Sequence, residues 1–179
     1  SRTPGVVVTN ISTTQAIEKI ASRYDSTVIR VPVGAAYVSE AILENNAVIG
    51  GEGNGAVAIP EIHAAADSAA AIGLILEQMA RTGKKISELV ANLPRYRMLK
   101  YSVKIEPNLL YSAIQNARDE SAGAGAAEID LSDGVKLRWP DGWVHIRASN
   151  TQSMIRVIAE AEDEKRAREL MNWAVDRLK

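Results

Sequence analysis

The sequence contains no cysteine and no phenylalanine, and aromatic residues make up only 4% of its 179 positions. Without cysteine, disulfides and thiolate metal sites are excluded. Without phenylalanine, the core must be built from Ile, Val, Leu and Ala. No apolar run reaches the roughly 18 residues needed to span a bilayer. The longest candidate, 64–79, is broken by Asp67, Ser68, Glu77 and Gln78. A basic surplus is also missing: 21 Lys and Arg face 22 Asp and Glu, a formal net charge of -1. That balance lacks the positive footprint of a nucleic-acid partner. No secretory pattern precedes the first strand, so a cytoplasmic location is expected, with neither membrane nor nucleic acid as partner. The 46% hydrophobic and 24% charged content is ordinary for a globular protein. The length suits one fair-sized domain or two small ones. The opening Ser1-Arg2-Thr3-Pro4 has no initiator Met, which a processed chain or a fragment of a longer one would explain.

The first half alternates strands and helices. Val6 to Thr9 reads as a buried strand, and Ser12-Thr13-Thr14 offers hydroxyl caps to a helix carrying Ala16, Ile17, Ile20 and Ala21. Val28 to Val33 is β-branched, with Pro32 favouring an edge or an end. Ala36 to Leu43 reads as a helix and Ala47 to Ile49 as a third strand. Ala65 to Arg81 reads as a long helix, apolar on nearly every face, the pattern of an element sandwiched inside a domain. This order predicts a parallel sheet with helical crossovers.

The pattern changes after Gly83. Residues 84–96 read as a connector with one short helix. Tyr101 to Ile105 is a predicted strand, and Pro107 and Asn108 start a helix reaching about Glu120. Three strands follow, Glu128 to Leu131, Val135 to Trp139 and Trp143 to Arg147. They are joined by Ser132-Asp133-Gly134 and Pro140-Asp141-Gly142, both hairpin chemistry. Ile155 to Ala161 is a further strand, and Asp163 caps a last helix with Ala167, Leu170, Met171, Ala174 and Leu178 on one stripe. Trp139, Trp143 and Trp173 read as packing residues. His63 reads as a surface or helix-start residue, and His145, alternating with core positions, as solvated.

Two loops carry chemistry. Gly50 to Gly55 has four glycines in six residues, which lets a backbone approach a ligand closely. Glu52 and Asn54 alternate with them. A carboxylate beside an amide suits adjacent sugar hydroxyls, accepting from them and donating back. A tight turn with two solvated polar residues fits the same pattern. A nucleotide phosphate loop does not, because the Gly-Lys-Ser/Thr ending is missing and 56–60 looks extended. The second loop is Arg147-Ala148-Ser149-Asn150-Thr151, between two strands. Arg grips phosphate through paired bonds, and Ser149, Asn150 and Thr151 add small donors. A plain polar turn is the competing description. Arg156 could support this loop, and equally reads as an outward strand residue.

Taken in order, the two loops resemble those of the α-D-phosphohexomutases: phosphomannomutases, phosphoglucomutases and phosphoglucosamine mutases. Gly50 to Gly55 is similar to the sugar loop of their third domain, Gly-Glu-x-Ser/Asn-Gly, in a form closest to archaeal members. Arg147 to Thr151 is similar to the phosphate loop of their fourth domain, Arg-x-Ser-Gly/Asn-Thr. Val33-Gly34, 47–51 and Ile155 to Ala161 are similar as well. The two motifs stand about a hundred residues apart, and the resemblance covers nearly the whole chain.

The resemblance implies an α/β part, a truncated third domain at 1–85. A connector at 86–99 leads to an α+β part at 100–179, a small antiparallel sheet with two helices on one face. It implies an isomerase-class phosphotransferase of carbohydrate metabolism that interconverts hexose 1-phosphate and 6-phosphate through a phosphoserine and a 1,6-bisphosphate, with Mg2+. This chain would be its C-terminal portion. Glu52 and Asn54 would fix the sugar. Arg147, Ser149, Asn150 and Thr151 would hold the phosphate. The implied partners are a hexose phosphate and the N-terminal domains. The phosphoserine loop and the Asp-x-Asp-x-Asp metal loop are not in the sequence, so no catalytic or metal residue is assigned, and the chain alone is expected to be inactive. Ala56 and Ala35 stand where some members carry histidine, and Gln152-Ser153 replaces the commoner Glu-Pro. The alternative reading is a non-catalytic phosphosugar-binding or assembly module.

Overall fold

The computed structural model describes residues 4–149 and 152–178. The chain divides into two compact units, Ser1–Arg95 and Tyr96–Lys179.

The first unit holds a four-stranded sheet. β1 (Val6–Asn10) pairs in parallel with β2 (Thr27–Val31) on one side and with β3 (Ile49–Gly51) on the other. β4 (Val57–Ala58) returns antiparallel to β3, giving the order β2-β1-β3-β4. β2 is an edge strand ending just before Pro32, as a residue without an N–H requires. The sheet is therefore mixed: the extended stretch after the glycine cluster folds back as a short fourth strand. α1 (Ala16–Ala21) and α2 (Ala35–Glu44) are the crossovers. α2 packs Val38, Ala41 and Ile42 on Val8, Ala47 and Ala58. A Cβ on Gly50 would lie 2.4 Å from Ile42 Cδ1, so a larger residue there would push the buried Ile42 side chain aside.

α3 (Ser68–Thr82) starts where Asp67 accepts the N–H groups of Ala69 and Ala70, and ends at Gly83 with φ 64. Helix formation follows the sequence, but burial does not. No residue of α3 is buried, and Ile72 and Leu76 are each 58% exposed. The expectation of a sandwiched helix is corrected: α3 meets β4 and α4 (Ile86–Ala91) along limited contact, leaving most of its apolar surface open. Leu76→Lys should therefore change the stability of the 179-residue chain by less than about 0.5 kcal/mol, the range for surface substitutions. A loss of about 3 kcal/mol or more in urea denaturation would mean that Leu76 is in a core.

The second unit is a five-stranded, wholly antiparallel sheet in the order β5-β9-β8-β7-β6. Its strands are β5 (Arg97–Lys104), β6 (Glu128–Asp130), β7 (Val135–Trp139), β8 (Gly142–Ala148) and β9 (Met154–Ala161). β5 begins four residues before the expected strand, drawn out by its register with β9 from Arg97 opposite Ala161. Period-2 alternation puts Val135, Leu137, Val144, Ile146, Ile155 and Val157 on one face, fully buried. α5 (Leu110–Ser121) and α6 (Glu164–Asp176) cover that face through Ala117, Ala167, Leu170 and Ala174. α6 is capped by Asp163, whose carboxylate accepts the Arg166 N–H. Trp139 and Trp173 pack edge to face at 6.1 Å.

The other face of this sheet carries polar side chains that are nevertheless buried: Lys136, His145, Arg147 and Glu160. The expectation of a solvated His145 is corrected, since it is 0% exposed. Alternation identified its face correctly but not the burial of that face.

Candidate functional site

In the first unit, β1 sends the chain to one neighbour and β3 lies on the other side, so the strand order reverses between β1 and β3. Such a reversal opens a crevice at the carboxyl ends of the parallel strands, where ligands of open α/β sheets bind. β1 ends at Asn10, and β3 runs into Glu52. The two side chains meet there, with Asn10 Nδ2 donating to Glu52 Oε2 at 2.7 Å.

Glu52 is held in place by the backbone and from beneath. Its N–H donates to the Ala56 carbonyl at 2.9 Å and its carbonyl accepts from Gly55 N–H at 3.1 Å. A Cβ on Gly51 would lie 2.5 Å from the Ala56 oxygen, so the turn closes only around glycine. Below, Asn10 Oδ1 accepts from Ser12 N–H and from Thr13 Oγ1, each at 3.0 Å. Thr9 Oγ1 reaches the Gly51 carbonyl at 2.9 Å and Thr13 Oγ1 at 2.8 Å. Thr9, Asn10 and Thr13 are all buried. Arg30 anchors the same β1–α1 loop, donating to the carbonyls of Asn10, Thr13 and Thr14 and pairing with Glu18 through Nε and Nη2.

These supporting residues were missed by sequence reasoning. Ser12 to Thr14 read only as helix caps, and the Asn10–Glu52 contact links positions 42 apart. Asn54 is exposed at the loop tip, where its amide oxygen accepts Ala56 N–H at 2.9 Å. What it can offer a ligand is therefore the Nδ2 donor. A small recess lies beside Glu52 and is bordered by Ala35, Val38 and Ser39 at the start of α2. His63 is exposed, and its Nδ1 accepts Ala65 N–H.

In the second unit, Arg147 sits near the end of β8 and is 6% exposed. Its Nε donates to Asp133 Oδ2 at 2.9 Å. Ser149 follows β8, its N–H donating to the Met154 carbonyl at 2.9 Å, which brings the chain back as β9. The expected phosphate contacts Asn150 and Thr151 lie outside the described residues. Arg156 on β9 is exposed and stands directly opposite Arg147 in register. Like charges facing each other across strands repel, and the Asp133 carboxylate offsets this at Arg147. Beside them Trp143 Nε1 donates to buried Glu160 Oε1 at 2.9 Å, and Lys136 Nζ lies 4.4 Å from the Trp143 ring.

His145 lies two residues before Arg147 on the same face, with Nε2 2.6 Å from the Asp133 carbonyl. Burial pushes its pKa from 6.5 down to about 4, against the raising effect of the Asp133 carbonyl and carboxylate; Lys136 and Arg147 add to the lowering. The neutral ring donates Nε2–H to that carbonyl. Between pH 6.5 and about 4 the unfolded chain takes up a proton that the folded chain refuses. Stability from this group is complete above that window and is lost as pH falls through it, by on the order of 3 kcal/mol. Following the His145 ring protons by NMR should show a protonation midpoint near pH 4. Titration at the ordinary value would contradict the burial.

Among the described residues, no three His, Cys, Asp or Glu side chains gather as a metal site. No helix there is long and apolar enough to cross a membrane.

Comparison with known proteins agrees with this architecture. The family model "Phosphoglucomutase/phosphomannomutase, alpha/beta/alpha domain III" matches residues 1–96. "Phosphoglucomutase/phosphomannomutase, C-terminal domain" matches residues 106–176. The chain belongs to the phosphoglucomutase/phosphomannomutase family and carries its domains III and IV. It is 39% identical to a phosphoglucomutase/phosphomannomutase of Thermococcus kodakarensis over 96% of this chain and 37% of that protein. It is 31% identical to a phosphoglucosamine/phosphogalactosamine mutase of Sulfurisphaera tokodaii over 93% of this chain and 36% of that protein. The fold matches a solved phosphoglucomutase/phosphomannomutase family protein of Burkholderia thailandensis with a TM-score of 0.82 at 20% identity, over 98% of this chain and 38% of that one. It also matches an N-acetylphosphoglucosamine mutase of Aspergillus fumigatus, solved with GlcNAc-6P and magnesium, with a TM-score of 0.70 at 16% identity over 98% and 41%. The chain thus spans less than two fifths of the length of these curated relatives.

Proposed function

We propose that this chain supplies the sugar and phosphate recognition of a longer enzyme that interconverts hexose 1-phosphate and hexose 6-phosphate. The observation that carries the reading is Glu52 at the strand-order reversal, its carboxylate held by buried Asn10. A carboxylate so held accepts hydrogen bonds from sugar hydroxyls without first having to be ordered, and Asn54 Nδ2 adds a donor. Arg147, with Ser149, Asn150 and Thr151, takes the phosphate that is not reacting. Energy from that remote contact holds the reacting end in line for transfer.

In the longer protein the reaction runs through a phosphoserine and a 1,6-bisphosphate. The phosphoserine belongs to the remainder of the polypeptide, the 1,6-bisphosphate is the ligand whose sugar and remote phosphate this chain would hold, and Mg2+ bound outside the described residues would neutralise phosphoryl charge. The described residues of this chain form no site for that ion, and their part is to bind and orient. A bisphosphate must be read in two orientations, and a carboxylate that accepts from either of two adjacent hydroxyls suits both.

The test is Glu52→Ala in the longer enzyme. The kcat/KM ratio between epimeric hexose phosphates should collapse by about tenfold, the consequence of leaving a substrate hydroxyl unpaired at roughly 1–3 kcal/mol. An unchanged ratio would mean that the loop is only a turn.

A further inference from the structure

The Ser132–Gly134 turn was needed for nothing but a hairpin, yet it reaches β8 in three ways. Gly134 has φ 78, and a Cβ there would lie 2.2 Å from the Ile146 carbonyl and 2.9 Å from Arg147 Cα. The turn thus lies directly on the backbone of β8. The Asp133 carbonyl is 2.6 Å from His145 Nε2. The Asp133 carboxylate takes Arg147 Nε at 2.9 Å, with side-chain exposures of 20% and 7%. The main chain of Asp133 is therefore pinned independently of its carboxylate, so the carboxylate has a fixed origin from which to orient a partner.

A guanidinium has five N–H donors in one plane. With Nε–H given to Asp133, the plane in which the Nη hydrogens lie is set. Binding is tighter when that plane is fixed beforehand. We propose that Asp133 is a positioning residue for phosphate recognition, orienting Arg147 through its Nε–H. This rests on the reading of Arg147 as a phosphate contact. It makes a claim opposite in sign to simple electrostatics. Asp133 is an anion beside an anion site, so its removal would tighten phosphate binding if charge alone mattered.

The experiment titrates inorganic phosphate into the 179-residue chain, with NMR observation of backbone amides and arginine Nε–H groups. In the wild type, the Arg147 Nε–H should exchange with water more slowly than that of exposed Arg156, and the Arg147 and Ser149 amides should respond to phosphate. D133A should weaken phosphate about tenfold and release the Nε–H. D133N, whose amide oxygen still accepts from Nε, should restore both. D133E keeps the charge but displaces the carboxylate, and should weaken phosphate severalfold. Equal or tighter binding by D133A, or by D133E should D133A fail to fold, would overturn the role of Asp133 while leaving the phosphate reading intact. Wild-type Nε–H exchange as fast as that of Arg156 would overturn it too. A wild-type chain that shows no phosphate response at Arg147 would remove the reading and the inference together.

Discussion

Arg147→Ala should lower the affinity of the chain for inorganic phosphate and hexose phosphates by on the order of ten- to a hundredfold. A charge-assisted bond to a dianion contributes roughly 1.5–3 kcal/mol, and a guanidinium makes such bonds in pairs. Arg147→Lys should recover only part of this, because a point charge lacks the planar fork. The same substitution leaves Asp133 without its guanidinium partner. A second effect is therefore expected, a loss of on the order of 1–3 kcal/mol in the second unit's stability. All three tryptophans lie in that unit, at 139, 143 and 173, so fluorescence during urea denaturation measures it directly. Unchanged phosphate affinity with an intact fluorescence transition would mean that the phosphate lies elsewhere.

Arg30→Ala should damage the first unit strongly, costing about 2–4 kcal/mol. Three carbonyls of the β1–α1 loop lose a cationic donor, and Glu18 loses a two-point partner. Arg30→Lys should rescue little, since one ammonium cannot span these acceptors. Hydrogen exchange at Val6 to Asn10 is the measurement, because tryptophan does not report on this unit. The loop that Arg30 holds also carries Asn10, so Glu52 should lose its support and sugar discrimination should fall alongside stability. Protection of β1 equal to that of the wild type would contradict this account of the loop.

Local signals made much of the fold legible in the sequence. The two Asp-Gly turns marked the β6-β7-β8 meander, Asp163 the start of α6, and Pro32 an edge or an end for β2, which is both an edge strand and ends just before it. What could not be read was whatever depends on the neighbour across space. Periodicity says that α3 is apolar all round, but not that its Ile72 and Leu76 are left exposed. Alternation puts His145 opposite the core face, but burial of that face depends on where the 131–134 segment lies. Of the candidate site, the glycines and the Arg-x-Ser pattern pointed to Glu52 and Arg147, the contacts proposed above. Their holders Asn10 and Asp133 are ordinary polar residues, at separations of 42 and 14, and nothing in their own neighbourhood marks them.

The central claim is that one loop reads the sugar and the other the phosphate. Comparative NMR titration of the 179-residue chain with glucose, inorganic phosphate and glucose 6-phosphate tests it most directly. Glucose should move the amides of Glu52 to Ala56, phosphate those of Arg147 and Ser149, and glucose 6-phosphate both sets. Glucose 6-phosphate shifts that avoid either loop, or that survive combined Glu52→Ala and Arg147→Ala substitution, would contradict it.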